Sequence, residues 1–114
     1  MGSNLQLTAS DGHQFVAYLA QPSRGATAAV VINENDDPNV CEDVLDALDK
    51  LIPAGVWRHD RVDGNAAAHI KSAILGPGET IPVRDGKLVL GTWQAIMLVE
   101  LDGPRDRRVI VTVR

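Results

Sequence analysis

The sequence predicts an α+β domain, a mostly antiparallel sheet with two helices packed on it. Strand-like segments stand at both ends of the chain, two helical patterns lie between them, and Asp11-Gly12 and Asp85-Gly86 mark tight turns. At 114 residues the chain holds one domain, 1–114, with room for one modest core. Apolar content of 45% and charged content of 23% are those of a globular chain, which excludes disordered and fibrous classes.

The opening Met-Gly-Ser, residues 1–3, reads as an expression-vector scar and is set aside. "LQLTA" at 5–9 and "QFVAYLA" at 14–20 flank "SDGH", which predicts a β-hairpin with His13 exposed on it. "QPSRG" breaks that pattern, and "TAAVVIN" at 27–33 is a short continuous apolar run, as in a central strand covered on both faces. Asp37 then caps a helix with Pro38 at its first position, and Glu42 and Asp43 place negative charge near the first turn. Val40, Val44, Leu48 and Leu51 recur at helical spacing, Leu45 and Ile52 widen the stripe, and Pro53 stops it. A second, shorter helix begins near Asn65 and ends at Gly76, with Ile70, Ala73 and Ile74 on one face. Strands follow at 79–83, 87–91, 92–101 and 107–113. In "TWQAIMLVEL" both faces are mostly apolar, so its pattern is packing and Trp93 reads as core. "RDRR" at 105–108 reads as a charged turn beside an edge strand.

Eleven Lys and Arg against fifteen Asp and Glu give a net charge of −4, which supplies no footprint for nucleic acid or an anionic membrane. Neither a membrane-length apolar run nor a signal pattern is present, so the expected location is cytoplasmic. The single cysteine, Cys41, forms no internal disulfide and reads as a packed or half-exposed thiol. Without flanking glycines it is no nucleophile elbow.

Most of the acidity in "NENDD" is explained by turn chemistry. Asn33 and Asn35 bond local backbone, while Asp36 and Asp37 compete to cap the helix. Glu34 is the exception, because a carboxylate ending a buried strand gains nothing from a turn role. Gly64 and Asn65 lead into a helix N-terminus whose free N–H groups suit a phosphate, with Lys71 adding charge.

Several motifs together resemble the YjbQ-like family, known as secondary thiamine-phosphate synthases: "INENDDP" at 32–38, "WRHD" at 57–60, "DGN" with "AHIKSAILGP" at 63–77, "IPVRDGKLVLGTWQ" at 81–94 and "DGPRDRRVIVTV" at 102–113. The resemblance covers residues 27–114 and implies a homotrimer of YjbQ-like fold. It also implies a site where three histidines converge on a cation or phosphate, placing His59 and His69 there as metal candidates. Glu34 and Asp63 are the carboxylates that would complete the ligand set, and Asn65, Lys71, Thr92 and Gln94 are the anion or ligand contacts. A divalent metal, Mg or Zn, is the cofactor this implies, and a phosphate-containing small molecule the partner. Read without the resemblance, His69 hydrogen-bonds near a helix start and His59 sits in a solvated loop.

Residues 7–22, "LTASDGHQFVAYLAQP", are instead similar to the opening hairpin of dienelactone hydrolases, which makes 4–26 a foreign start to the 27–114 segment. That family's catalytic residues have no counterpart here. Counting back from Ile32, the histidine of the YjbQ-like His-Thr-Ser/Thr-Ala motif falls on Gly25. The leading reading is therefore an artificial, recombined chimeric domain with an incomplete phosphate or cation site and no catalytic activity, a naturally truncated homologue being the alternative origin. The alternatives are a functional thiamine-phosphate synthase-type transferase and a non-catalytic anion- or metal-binding module.

Overall fold

The computed structural model describes residues 27–113 in full and residues 15–22 in backbone alone; the hairpin turn, His13 and Gly25 lie outside the described residues. The order is β1 (Phe15–Pro22), β2 (Ala28–Glu34), α1 (Pro38–Leu51), a 3₁₀ turn (Arg58–Arg61), α2 (Ala66–Leu75), β3 (Gly78–Arg84), β4 (Lys87–Leu88), β5 (Gln94–Glu100) and β6 (Arg107–Val113). This is the expected α+β class.

The local signals for α1 act as read. Asp37 is extended, its Oδ1 accepts the Asn39 N–H at 2.9 Å, and Pro38 occupies the first turn, where its missing donor costs nothing. Ile52 closes the helix by donating its N–H to the Leu48 carbonyl at 2.8 Å, and Pro53 follows. Glu42 and Asp43 fall in the second turn, beyond the reach assigned to them from sequence. The apolar stripe is only half covered, and Leu51 is 76% exposed.

A larger correction concerns α2. The face carrying Ile70, Ala73 and Ile74 is not the buried one: Ala73 is exposed, Ile74 is 65% exposed and Ile70 is half-buried, while Ala66, Ala67, Ala68, Lys71 and Ser72 are buried. Small side chains let the helix lie close against β2, which larger ones would not. Gly76 ends it at φ +89, a conformation that favours glycine.

Among the described residues the strands form two sheets rather than one: β4-β3-β1-β6 and β2-β5. All pairings are antiparallel, with Val16 opposite both Ile81 and Val113 and Val30 opposite Leu98. The run at 27–33 is thus no central strand, since among the described residues β2 pairs with β5 alone. Its apolarity comes from layers above and below. Val30, Ile32, Ile96 and Leu98 pack against Ile81, Val83, Leu88 and Val109 of the larger sheet and against Leu90 just beyond β4. On the opposite face, α2 contacts β2, and the Cys41 Sγ of α1 lies 3.8 Å from the Met97 Sδ of β5. Consecutive Ile96 and Met97 are both fully buried, as the middle layer of three requires.

Asp85 at φ 52 and Gly86 at φ 73 make the left-handed two-residue turn that suits the β3–β4 hairpin. Strand β4 is two residues rather than the expected five. Trp93 is 59% exposed rather than core, because it stands in the turn that starts β5.

Arg107 departs furthest from the reading of "RDRR" as a solvated turn. Its side chain is 6% exposed; Nη2 donates to Glu100 Oε2 at 2.7 Å and to Thr27 Oγ1 at 2.9 Å, and Nε reaches both Glu100 oxygens at 3.1 Å. One guanidinium thereby fastens the larger sheet to β5 and to the entry of β2. A Cβ at Gly103 would lie 2.6 Å from the Glu100 Cγ, so this carboxylate needs glycine beside it.

Candidate functional site

After Pro53 the chain reaches Trp57, whose extended backbone leads into the 58–61 turn. Asp60 fixes that turn at both ends. Its Oδ2 accepts the Trp57 N–H at 2.9 Å and its Oδ1 accepts the Ala66 N–H at 3.0 Å. The His59 carbonyl accepts the N–H groups of Val62 at 2.9 Å and Asp63 at 3.2 Å, so the turn is tied internally as well. His69 comes from the first turns of α2. The two imidazoles meet edge to face, centroids 5.2 Å apart and planes at 79°.

They stand in an open cleft of about 600 Å³ lined by Trp57, Arg58, His59, Ala66, His69 and Ile70. The Trp57 indole N–H donates to the Pro53 carbonyl at 2.7 Å, which holds the ring in place. An apolar wall facing one cation and two imidazoles can take a flat apolar body carrying an anionic group.

The sequence-derived candidates divide sharply. His59 and His69 are brought together, and Asp63 stands at their edge, its Oδ2 3.6 Å from His59 Nε2 and largely in solvent. Lys71 faces away, pairing with Asp49 of α1, because two residues along a helix turn a side chain to the far side. Glu34, half-buried opposite Gln94 in the β2–β5 register, does not line the cleft. Nor do Thr92 and Gln94: the Gln94 Oε1 accepts the Gly91 N–H at 2.7 Å and closes the turn where exposed Thr92 sits. Asn65 donates to Asp102 Oδ2 at 2.9 Å, leaving its own Oδ1 buried without a partner among the described residues. The N-terminus of α2 is no open phosphate cradle either, since the Asp60 carboxylate already takes its first N–H.

Among the described residues no three of His, Cys, Asp and Glu are arranged to hold a metal ion. With Asp63 largely in solvent, the described residues bring together two imidazoles, fewer than the three or four protein ligands a zinc site takes. Asp60, Trp57, Arg58 and Ile70 were missed as site residues. The Trp57-to-Asp60 spacing is that of a capping pair, and this was the one local signal for Asp60.

Two carboxyls are held below the ordinary aspartate range. Asp60 is lowered by the Trp57 N–H first and then by that of Ala66. Asp102 is lowered by the Asn65 amide, with the Arg105 charge adding to it against an opposing effect of burial. A depressed folded-state pKa gives stability that is present above the unfolded value, near 3.9, and is lost as pH falls through the folded one. Unfolding followed by fluorescence is expected to show declining stability below about pH 4, with a shallower decline in Asp102→Asn. Parallel profiles for the two proteins would contradict this linkage.

A family profile described as "UPF0047 protein YjbQ-like" matches residues 14–114, starting well before the motifs at 27 and taking in β1. A UPF0047 protein of Archaeoglobus fulgidus is 52% identical over 86 residues, 75% of this chain and 68% of that protein. One from Methanocaldococcus jannaschii is 47% identical over 87 residues, 76% of this chain and 62% of that protein, so the match spans less than two thirds of that relative's length. A crystal structure of a YjbQ/UPF0047 family protein from Clostridium acetobutylicum superposes with a TM-score of 0.82 at 34% identity, covering 98% of this chain and 99% of that one. Among the described residues no helix is long and apolar enough to cross a membrane.

Proposed function

The chain belongs to the UPF0047 YjbQ-like family, and from that premise we propose that the Trp57–Ile70 cleft binds a phosphate-bearing small molecule with a flat apolar body. The observation that carries this reading is the meeting of His59 and His69 beside Arg58 on an apolar wall. The imidazole N–H groups and the guanidinium hold the anion, while Trp57, Ala66 and Ile70 cover the ring.

The finer reading is binding without turnover. The resemblance points to thiamine-phosphate synthase chemistry, joining a pyrimidine diphosphate to a thiazole phosphate with loss of pyrophosphate. Such a leaving group needs concentrated positive charge, and Gly25 stands where the family motif has a histidine. The family profile begins at residue 14, inside the segment that resembles a dienelactone hydrolase, so a foreign start at 4–26 is not part of this proposal. Phenyl phosphate is expected to shift the amide resonances of 57–59, 66, 69 and 70, and benzyl alcohol, which lacks the anion, to shift them much less. In the same samples the two synthase substrates yield no thiamine phosphate unless Gly25→His is introduced. Absence of localised shifts would sink the binding reading; turnover by the unaltered chain would sink the finer one.

Self-association, as a homotrimer, belongs to this proposal. Leu51, Val56, Val62 and Ile74 are 65–76% exposed, apolar side chains that an interface between copies would cover. Light scattering at micromolar concentration is expected to give a multiple of the 12.2 kDa chain mass, and a stable single-chain mass would end the idea.

A further inference from the structure

We infer that Asp60 is a positioning residue for the histidine pair: one carboxylate, bonded to the backbone before the 58–61 turn and at the start of α2, sets the distance between His59 and His69. The inference rests on the reading of that pair as the binding site, and it reaches a residue that does not itself line the cleft.

The geometry is specific. His59 rides on a four-residue 3₁₀ turn, too short to hold its own orientation by hydrogen bonds alone. His69 rides on α2, which is fixed by the burial of Ala66, Ala67 and Ala68. Between the turn and α2 run Val62, Asp63 and Gly64, all exposed, with Gly64 at φ +68, and half-buried Asn65, which is tied to Asp102 rather than to the turn. The three exposed residues carry no packing that could hold the two rings together. The Asp60 carboxylate bridges it, Oδ2 on the Trp57 N–H at 2.9 Å and Oδ1 on the Ala66 N–H at 3.0 Å. The asymmetry of Asp and Asn matters here. An amide keeps one acceptor oxygen and turns a donor toward the other N–H, so asparagine retains only one arm of the bridge.

The test compares the wild type with Asp60→Ala, Asp60→Asn and, as a control, Asp49→Ala, which removes an exposed carboxylate from the Lys71 pair without touching the bridge. Two quantities are measured: the nuclear Overhauser effects between the His59 and His69 ring protons, and the affinity for phenyl phosphate. Asp60→Ala is expected to lose the ring-to-ring effects and to weaken binding about tenfold. Asp60→Asn should fall between, and Asp49→Ala should match the wild type in both. Ring contacts that persist in a folded Asp60→Ala protein, or that are undiminished in Asp60→Asn, would overturn the inference. So would an equal loss in Asp49→Ala, which would mark a general effect of stability. Should the wild type show the ring contacts but bind no phenyl phosphate, the ligand reading falls while the ring measurement still decides the role of Asp60.

Discussion

Arg107→Ala is expected to cost about 3 kcal/mol or more of unfolding free energy, a large part of what a domain this size possesses. The substitution leaves partners that water cannot easily reach. Glu100, 30% exposed, loses its bidentate guanidinium, and the hydroxyl of buried Thr27 loses its donor. Removing one member of a buried pair costs more than the pair contributes, because the remaining charge stays desolvated. Arg105 provides the contrast: it too contacts an acid, Asp102 at 3.0 Å, but its side chain is 43% exposed. Arg105→Ala is therefore expected to cost under about 1 kcal/mol. Urea unfolding of the two variants measures the difference, and a loss in Arg107→Ala no greater than in Arg105→Ala would show that the buried pair contributes little.

Arg107 also shows why part of the fold was hidden in the sequence. Its partners lie 7 and 80 residues away, so nothing in "RDRR" separates the buried arginine from its solvated neighbours. The helix boundaries were legible because their causes are local: Asp37, Pro38 and Pro53 act on backbone within a few residues. The number of sheets was not. A strand covered by a helix layer and a second sheet has the same unbroken apolar run as a strand in the middle of one sheet, and Val30 and Met97 fit either. In α2 the apolar pattern pointed to the isoleucines, yet close approach to β2 selected the alanines. At the site, His59 and His69 were found through their family motifs, whereas Lys71 and Gln94 were assigned to a ligand although Asp49 and Gly91 occupy them. Such competition between a ligand and the protein's own groups is visible only once the chain is folded.

Within the cleft, His69→Ala is expected to weaken phenyl phosphate binding by about ten- to a hundredfold, the range for losing a hydrogen bond to a charged group. His59→Ala should fall at the lower end. In the proposed binding mode both rings face one anion, but His69 is half-buried on a helix fixed by packed alanines, whereas His59 is exposed on a short turn with freedom to reorient. A bond made by a pre-positioned group loses less entropy on formation, so its removal is felt more. Because the two donors act on one ligand 5.2 Å from ring to ring, the double variant is expected to lose less than the product of the single losses. Calorimetric titration of the single and double variants distinguishes the cases. Independent, multiplicative losses would mean that the imidazoles contact different parts of the ligand, and wild-type affinity in His69→Ala would remove the histidine pair from the binding site altogether.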